Sequence, residues 1–177
     1  YTHHKLGDLI WQLPYVHAIS EHHEEKIDLI VRKKTQAKNI LQDLSYIDEI
    51  HYNEFRKGIG YWIDVFKLIR IFKKNKYDIV YLLDKVNKPA IAAKLAGIKK
   101  IIGPGIGNQK KWLTSSNFLD DKDWNLNYSE QSQKLLKINS INIKNIYPKI
   151  DINIERLKKD NSDLLIKGKK IAFGVDS

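Results

Sequence analysis

Gly7 and Asp8 stand immediately before a run whose apolar residues recur at helical spacing, so they occupy a loop-to-helix junction near the start of the chain. In a doubly wound α/β sheet such a junction lies at the carboxyl edge of the strands, where ligands bind. A carboxylate placed there has the chemistry of a general base: within hydrogen-bond reach of a hydroxyl, it removes the proton as that oxygen attacks an electrophile. Asp at this place is equally a favoured helix N-cap, with Gly7 permitting the turn, and the residues alone leave both uses open.

A second chemical signal is charge. Residues 55–111 hold 14 basic and 3 acidic side chains, a balance of +11, whereas residues 1–54 stand at −3 and residues 112–177 at +2. The formal charge of +10 is therefore a property of the middle of the chain. Lys85, Lys88, Lys94, Lys99, Lys100, Lys110 and Lys111 follow one another there without an intervening acid. Such a concentration suits an anionic partner: a phosphorylated small molecule, acidic lipid headgroups or nucleic acid. Lysines on solvated faces of a Lys-, Ile- and Asn-rich chain would give the same count.

Other motifs carry less. Gly103-Pro-Gly-Ile-Gly-Asn108 is too tightly spaced for a dinucleotide fingerprint and reads as a turn. The adjacent pairs His3-His4 and His22-His23 cannot present two imidazoles to one metal as an i, i+4 pair does, and read as surface residues. Of the tryptophans, Trp62 reads as core. Trp112, beside Lys110 and Lys111, is the better candidate to stack on a ligand. No nucleic-acid-binding motif accompanies the lysines.

The elements that must position these residues alternate. Helical patterns cover residues 9–22, 33–44, 58–74 and 88–95, and strand patterns cover 27–31, 47–51, 77–83 and 98–102. In the helix over 58–74, Ile59, Trp62, Ile63, Phe66, Ile69 and Phe72 form the expected inward stripe, with Lys67, Arg70, Lys73 and Lys74 outward. The alternation predicts an α/β fold with a Rossmann-like doubly wound parallel sheet. After Gly107, residues 108–128 read as loop, 130–138 as helix, 139–153 as a connector with Pro148, 154–165 as a weak helix and 169–175 as a strand opening a new unit. The first unit spans 1–165, and 166–177 begins a second. No strand pattern precedes Gly7, and the chain has no Met, so it reads as a fragment of a longer product.

Gly7-Asp8 followed by five residues and Pro14, the strand 27–31, Tyr46-Ile-Asp-Glu-Ile50, Tyr77 to Asp84 with the Ala-rich segment ending in Leu95-Ala-Gly97, and Ile171-Ala-Phe-Gly-Val-Asp-Ser177 occur in an informative order. That order is similar to the lipopolysaccharide heptosyltransferase family of GT-B glycosyltransferases. The resemblance covers nearly the whole chain and implies that it is the N-terminal, acceptor-binding half of such an enzyme. It implies an inverting transfer of heptose or a related sugar from a nucleotide sugar such as ADP-heptose, Asp8 as catalytic base, Gly7 among the acceptor-binding residues, and no obligatory metal or cofactor. Basic residues of this half would hold an acidic lipopolysaccharide-core acceptor. Arg56 and Lys57 match one basic loop, while Lys85, Lys88, Lys110 and Lys111 lie at later turns. Arg56 is the strongest of these because a guanidinium grips carboxylate or phosphate bidentately. Ser177 falls near the start of the donor's phosphate loop. The loops here hold more lysine than arginine, which leaves another acidic glycan open as acceptor. On this resemblance the protein is expected in the cytoplasm at the inner membrane face, with its basic stretch able to make peripheral contact with anionic lipid. A non-catalytic α/β module for phosphorylated ligands or nucleic acid is the alternative.

Composition sets limits on all of this. At 42% hydrophobic and 29% charged residues, the chain falls in the globular range. With no Cys it has neither a disulfide framework nor thiolate metal ligands, as suits a reducing compartment. No apolar run approaches the roughly 20 residues needed to span a bilayer.

Overall fold

The computed structural model describes residues 5–54 and 56–150. The helix expected over 154–165, the strand over 169–175, the second unit over 166–177, Ser177 and the His3-His4 pair lie outside the described residues.

α1 (Leu6–His23) buries Leu9, Leu13, Val16 and Ile19, and begins three residues earlier than its periodicity suggests. Its N-cap is therefore Lys5, which offers no side-chain cap, and Asp8 is the third helical residue. Asp8 is thus no N-cap, although a carboxylate in the first turn still complements the helix dipole. Pro14 lies two turns inside the helix and not in its first turn. A short turn leads into β1 (Ile27–Arg32), which pairs in parallel with β2 (Ile47–Asn53), Leu29 opposite Ile50 and Arg32 opposite Asn53.

The helix expected between these strands is broken. Thr35 accepts from the Ala37 amide at 3.3 Å and donates to the Arg32 carbonyl at 2.7 Å, so its hydroxyl competes with the helical ladder. What remains is a single 3₁₀ turn and α2 (Ala37–Leu41). α3 (Ile59–Asn75) leads to β3 (Ile79–Tyr81), and α4 (Asn87–Ala96), ended by Gly97, leads to β4 (Lys100–Ile102), which pairs in parallel with β3. Residues 108–128 are not a plain loop, because they contain 3₁₀ turns at Gly107–Trp112 and Asp121–Asn125. α5 (Tyr128–Ile138) starts with a capping box of Asn127 and Glu130 and packs on α1, where Gln12 accepts from Ser132 at 2.7 Å.

Side-chain alternation along the strands builds two layers. Leu29, Val31 and Leu83 join the cluster of α1 and α2, while Ile30, Val80, Leu82 and Ile101 join that of α3 and α4. Helices thus cover both strand faces, as the near-continuous apolar strands require. The strands form two parallel pairs among the described residues, β1 with β2 and β3 with β4. A cavity of about 680 Å³ separates β1 from β3, covered by Val16 and Ile19 on one side and Phe72 on the other.

α3 departs most from its pattern. Val65, Leu68 and Phe72 are buried together with Asp64, whereas Ile59, Trp62, Ile63 and Phe66, expected inside, are exposed. Phe72, the last residue of the expected stripe, is buried and Ile69 half-buried, so it is the stripe's first four apolar residues, and not its end, that face away from the core at about 100° per residue. Replacing Leu68 with Ala should cost about 2–5 kcal/mol in urea unfolding, while Ile63→Ala should stay within about 0.5 kcal/mol; the reverse order would restore the expected face.

Candidate functional site

The carboxyl ends of the four strands mark the edge at which parallel α/β sheets bind ligands. β1 ends at Arg32 and β2 at Asn53, register partners; β3 ends at Tyr81, with the chain continuing to Asp84, and β4 ends at Ile102, just before Gly103. Because α1 turns directly into β1 and runs back along it, the first turn of α1 reaches the same edge. Gly7 and Asp8 are exposed there, and Asp8 forms no ion pair with any described residue.

Two amide side chains at this edge are polar groups without a bond. Asn53 is fully buried, yet neither its Oδ1 nor its Nδ2 has a hydrogen-bond partner among the described residues, and the same holds for Oδ1 of Asn87 in the first turn of α4. Burying an amide without a bond costs about 1–3 kcal/mol. A hydroxyl-bearing ligand would supply what is missing.

Beside them lies a buried ionic knot. Asp64 is fully buried, and its carboxylate accepts from the Arg56 amide at 2.9 Å, from Arg56 Nε at 3.0 Å and Nη2 at 2.5 Å, and from Lys88 Nζ at 3.0 Å. Lys88 also donates to the Arg56 carbonyl at 3.3 Å and lies 4.7 Å above the ring of Tyr61, whose phenol burial pushes up. Burial raises the Asp64 carboxyl, but the bonds from Arg56 and Lys88 outweigh it and hold the group below the usual carboxylate value. Glycines shape this corner. Gly58 has φ +59°, and a Cβ on Gly60 would stand 2.6 Å from Arg56 Cβ, so only glycine lets Arg56 lie across the start of α3.

This arrangement revises one expectation. Lys88 is turned inward, and its ammonium is engaged by the Asp64 carboxylate and the Arg56 carbonyl instead of being offered to the cleft. Its ammonium is held inside because the buried carboxylate needs a partner. Arg56 stays half exposed, with Nη1 outside its bonds to Asp64. Lys57, Lys85 and Lys111 are exposed. Lys110 is half buried, 4.9 Å from the Phe118 ring and 5.6 Å from that of Trp124, and paired with Asp121 at 3.4 Å. Trp112 packs against the core, and Trp62 is exposed instead of buried. Gly103-Pro-Gly leaves β4 without regular structure, Gly105 at φ +71°. There the buried Gln109 accepts from the Gly105 amide and donates to the carbonyls of Asp84 and Val86, tying this segment to the one after β3. His23 bonds the Tyr81 hydroxyl at 2.9 Å, and no group of three metal-binding side chains occurs among the described residues.

Four participants escaped the sequence reading: Asn53, Asp64, Asn87 and Gln109. Asp64 carried the one available signal, an acid on a helix otherwise basic and apolar, though nothing in the sequence said that it faces inward.

No family model matches the sequence, and neither does any curated protein. Two solved structures share its fold. One is the ADP-heptose lipopolysaccharide heptosyltransferase II of E. coli, with a TM-score of 0.69 and 16% identity over 94% of this chain and 50% of that one. The other is a glycosyl transferase family 9 protein from Veillonella parvula, with a TM-score of 0.68 and 18% identity over 94% of this chain and 49% of that one. The chain thus has the Rossmann-like α/β fold present in these proteins and spans about half their length.

Removing Asp64 tests the knot. Asp64→Asn leaves Lys88 buried without a counter-charge and should cost about 3–5 kcal/mol near neutral pH. A carboxyl held low in the folded state stabilises it above the ordinary value of about 4 and loses that contribution as pH falls below it. In urea titrations at a series of pH values, the gap between wild type and variant should therefore narrow below about pH 4.

Proposed function

We propose that this chain is the acceptor-binding half of an inverting glycosyltransferase that moves heptose or a related sugar from a nucleotide sugar onto an acidic glycolipid. The observation that carries this reading is the edge itself. Asp8, exposed at the start of α1, shares the carboxyl end of the strands with the unsatisfied amides of Asn53 and Asn87 and the open end of Arg56. The fold shared with two glycosyltransferase structures supports it.

The step asks little of each group. An acceptor hydroxyl attacks the anomeric carbon of the donor, the bond from that carbon to the phosphate oxygen breaks, and the nucleoside diphosphate leaves. Asp8 takes the hydroxyl proton. Asn53 and Asn87 supply hydrogen bonds to acceptor hydroxyls, which fixes the sugar in the attacking geometry and gains more than a solvated amide would, since both atoms are already stripped of water. Arg56, with the adjacent Lys57 and the exposed Lys85, meets the acidic groups of the acceptor. An ADP-heptose-like donor and the groups that stabilise its departing phosphate belong to the part of the enzyme outside this chain, with Ser177 at its border. The absence of a nucleic-acid motif leaves a glycan as the better anionic partner. Among the described residues no helix is long and apolar enough to cross a membrane.

In the full-length enzyme, Asp8→Asn should lower kcat by about 10²–10⁴-fold with unfolding unchanged; wild-type turnover would remove Asp8 as the base. Asn53→Leu should leave stability equal or higher, because it removes unsatisfied atoms, yet raise the acceptor KM about fivefold to tenfold. A variant both destabilised and unchanged in KM would make Asn53 a packing residue.

A further inference from the structure

α1 buries Leu9, Leu13, Tyr15, Val16 and Ile19, and among the described residues Trp11 is its one large apolar side chain left exposed, at 50%. A lone exposed aromatic is ordinary on a protein surface. This one stands at the ligand-binding edge. Trp11 follows Gly7 by four residues and Asp8 by three, which puts all three on one side of the helix. A helical side chain leans toward the amino end of its helix, so the indole covers the turn that bears Gly7 and Asp8. The space beside it is open: a Cβ on Gly7 would meet no atom within 4 Å. One turn further along the same side, Tyr15 is already buried and shares a hydrogen bond of 2.5 Å with Ser129 of α5. Gln12 donates to the Tyr128 carbonyl at 3.3 Å. The exposed facet therefore stops at the start of α5, and these bonds hold the turn that carries the indole in place.

We propose that Trp11 is the platform on which a sugar ring of the acceptor lies, its C–H face against the indole and one hydroxyl brought to Asp8. The face of an indole is the negative part of its quadrupole, and the C–H bonds along one side of a pyranose ring are apolar and weakly positive, so the two surfaces attract. Hydroxyls at the rim of the ring stay free for hydrogen bonds. A ring seated in the open space over Gly7 has such a hydroxyl beside the carboxylate of Asp8, which fixes the attacking oxygen before the donor arrives. The platform also selects. A ring with C–H bonds along one whole face fits, whereas a ring with axial hydroxyls on both faces has to press one of them on an apolar surface without a bond to replace its water. A planar base of a nucleotide would stack on an indole as well. Its phosphates would then lie beside the exposed carboxylate of Asp8, so charge favours the acceptor ring over the donor. This contact deepens the proposed transfer and rests on it for the part played by Asp8; the stacking itself is read by binding alone.

Calorimetric binding of a deacylated acidic core oligosaccharide to the full-length protein, with no donor present, tests the platform. Trp11→Ala should weaken that binding about tenfold or more and raise the acceptor KM in step, with the KM for the nucleotide sugar and the unfolding midpoint unchanged. Trp11→Phe keeps an aromatic face and should recover binding to within about threefold of wild type. Gly7→Leu, at an exposed helical position, should fold at least as stably as wild type yet weaken binding, because its side chain fills the space the ring needs. Wild-type affinity in Trp11→Ala would overturn the inference, as would Trp11→Phe binding as weakly as Trp11→Ala. A lowered unfolding midpoint in Trp11→Ala would also overturn it, by making the indole a packing residue, and a rise confined to the donor KM would put the nucleotide there instead. Wild-type turnover in Asp8→Asn would remove the proposed base, while a loss of oligosaccharide binding in Trp11→Ala would still stand.

Discussion

Asp64 is a carboxylate removed from water, and it dictates the placement of everything around it. A buried charge is tolerated only where opposite charge and hydrogen bonds replace the lost solvent, and here three side-chain nitrogens and one backbone amide do so. Those donors come from two places in the chain: the loop after β2, through Arg56, and the first turn of α4, through Lys88. The carboxylate therefore joins α3 to both neighbours and fixes its rotation. Once Asp64 points inward, Val65, Leu68 and Phe72 follow into the core, and the other apolar stripe has to face out.

The same interaction prepares the carboxyl edge. Arg56 is anchored by its backbone amide and by two guanidinium nitrogens, so its remaining donors face solvent from a fixed base, as a preorganised anion contact requires. Gly60 allows that placement by leaving room for Arg56 Cβ. Nearby, Asn53 and Asn87 keep buried polar atoms unsatisfied, which costs stability. A fold that invests rigidity in one polar group while leaving adjacent ones unbonded has the uneven character expected where a ligand completes the hydrogen bonding.

Much of the architecture was legible in the sequence because strand and helix periods differ, and short β-branched runs alternating with helical stretches leave few alternatives to a parallel α/β sheet. The end of α4 was legible through Gly97 and the end of β4 through Gly103-Pro-Gly105. Phase was not. A helix period of 3.6 residues locates a stripe but does not say which of two stripes meets the core, and α3 has two. The decision rests on Lys88, remote in sequence, and no local pattern announces that a lysine will turn inward. The break at Thr35 shows a milder form of the same limit, in which one hydroxyl with two local partners overrides a helical pattern. Asp8 was legible as a residue at the right edge, yet its place in the first turn, and not at the cap, depended on the helix beginning at Leu6.

Charge and apolarity on α3 follow from one cause. Turning Asp64 inward removes the only acid from the helix surface, so the same rotation that exposes Ile59, Trp62, Ile63 and Phe66 leaves Lys67, Arg70, Lys73 and Lys74 unopposed. In the sequence, the excess of +11 over residues 55–111 looked like a diffuse feature of turns. In the fold one of its lysines, Lys88, neutralises a buried acid and is withdrawn from the surface, while the basic residues of α3 gather on a single face.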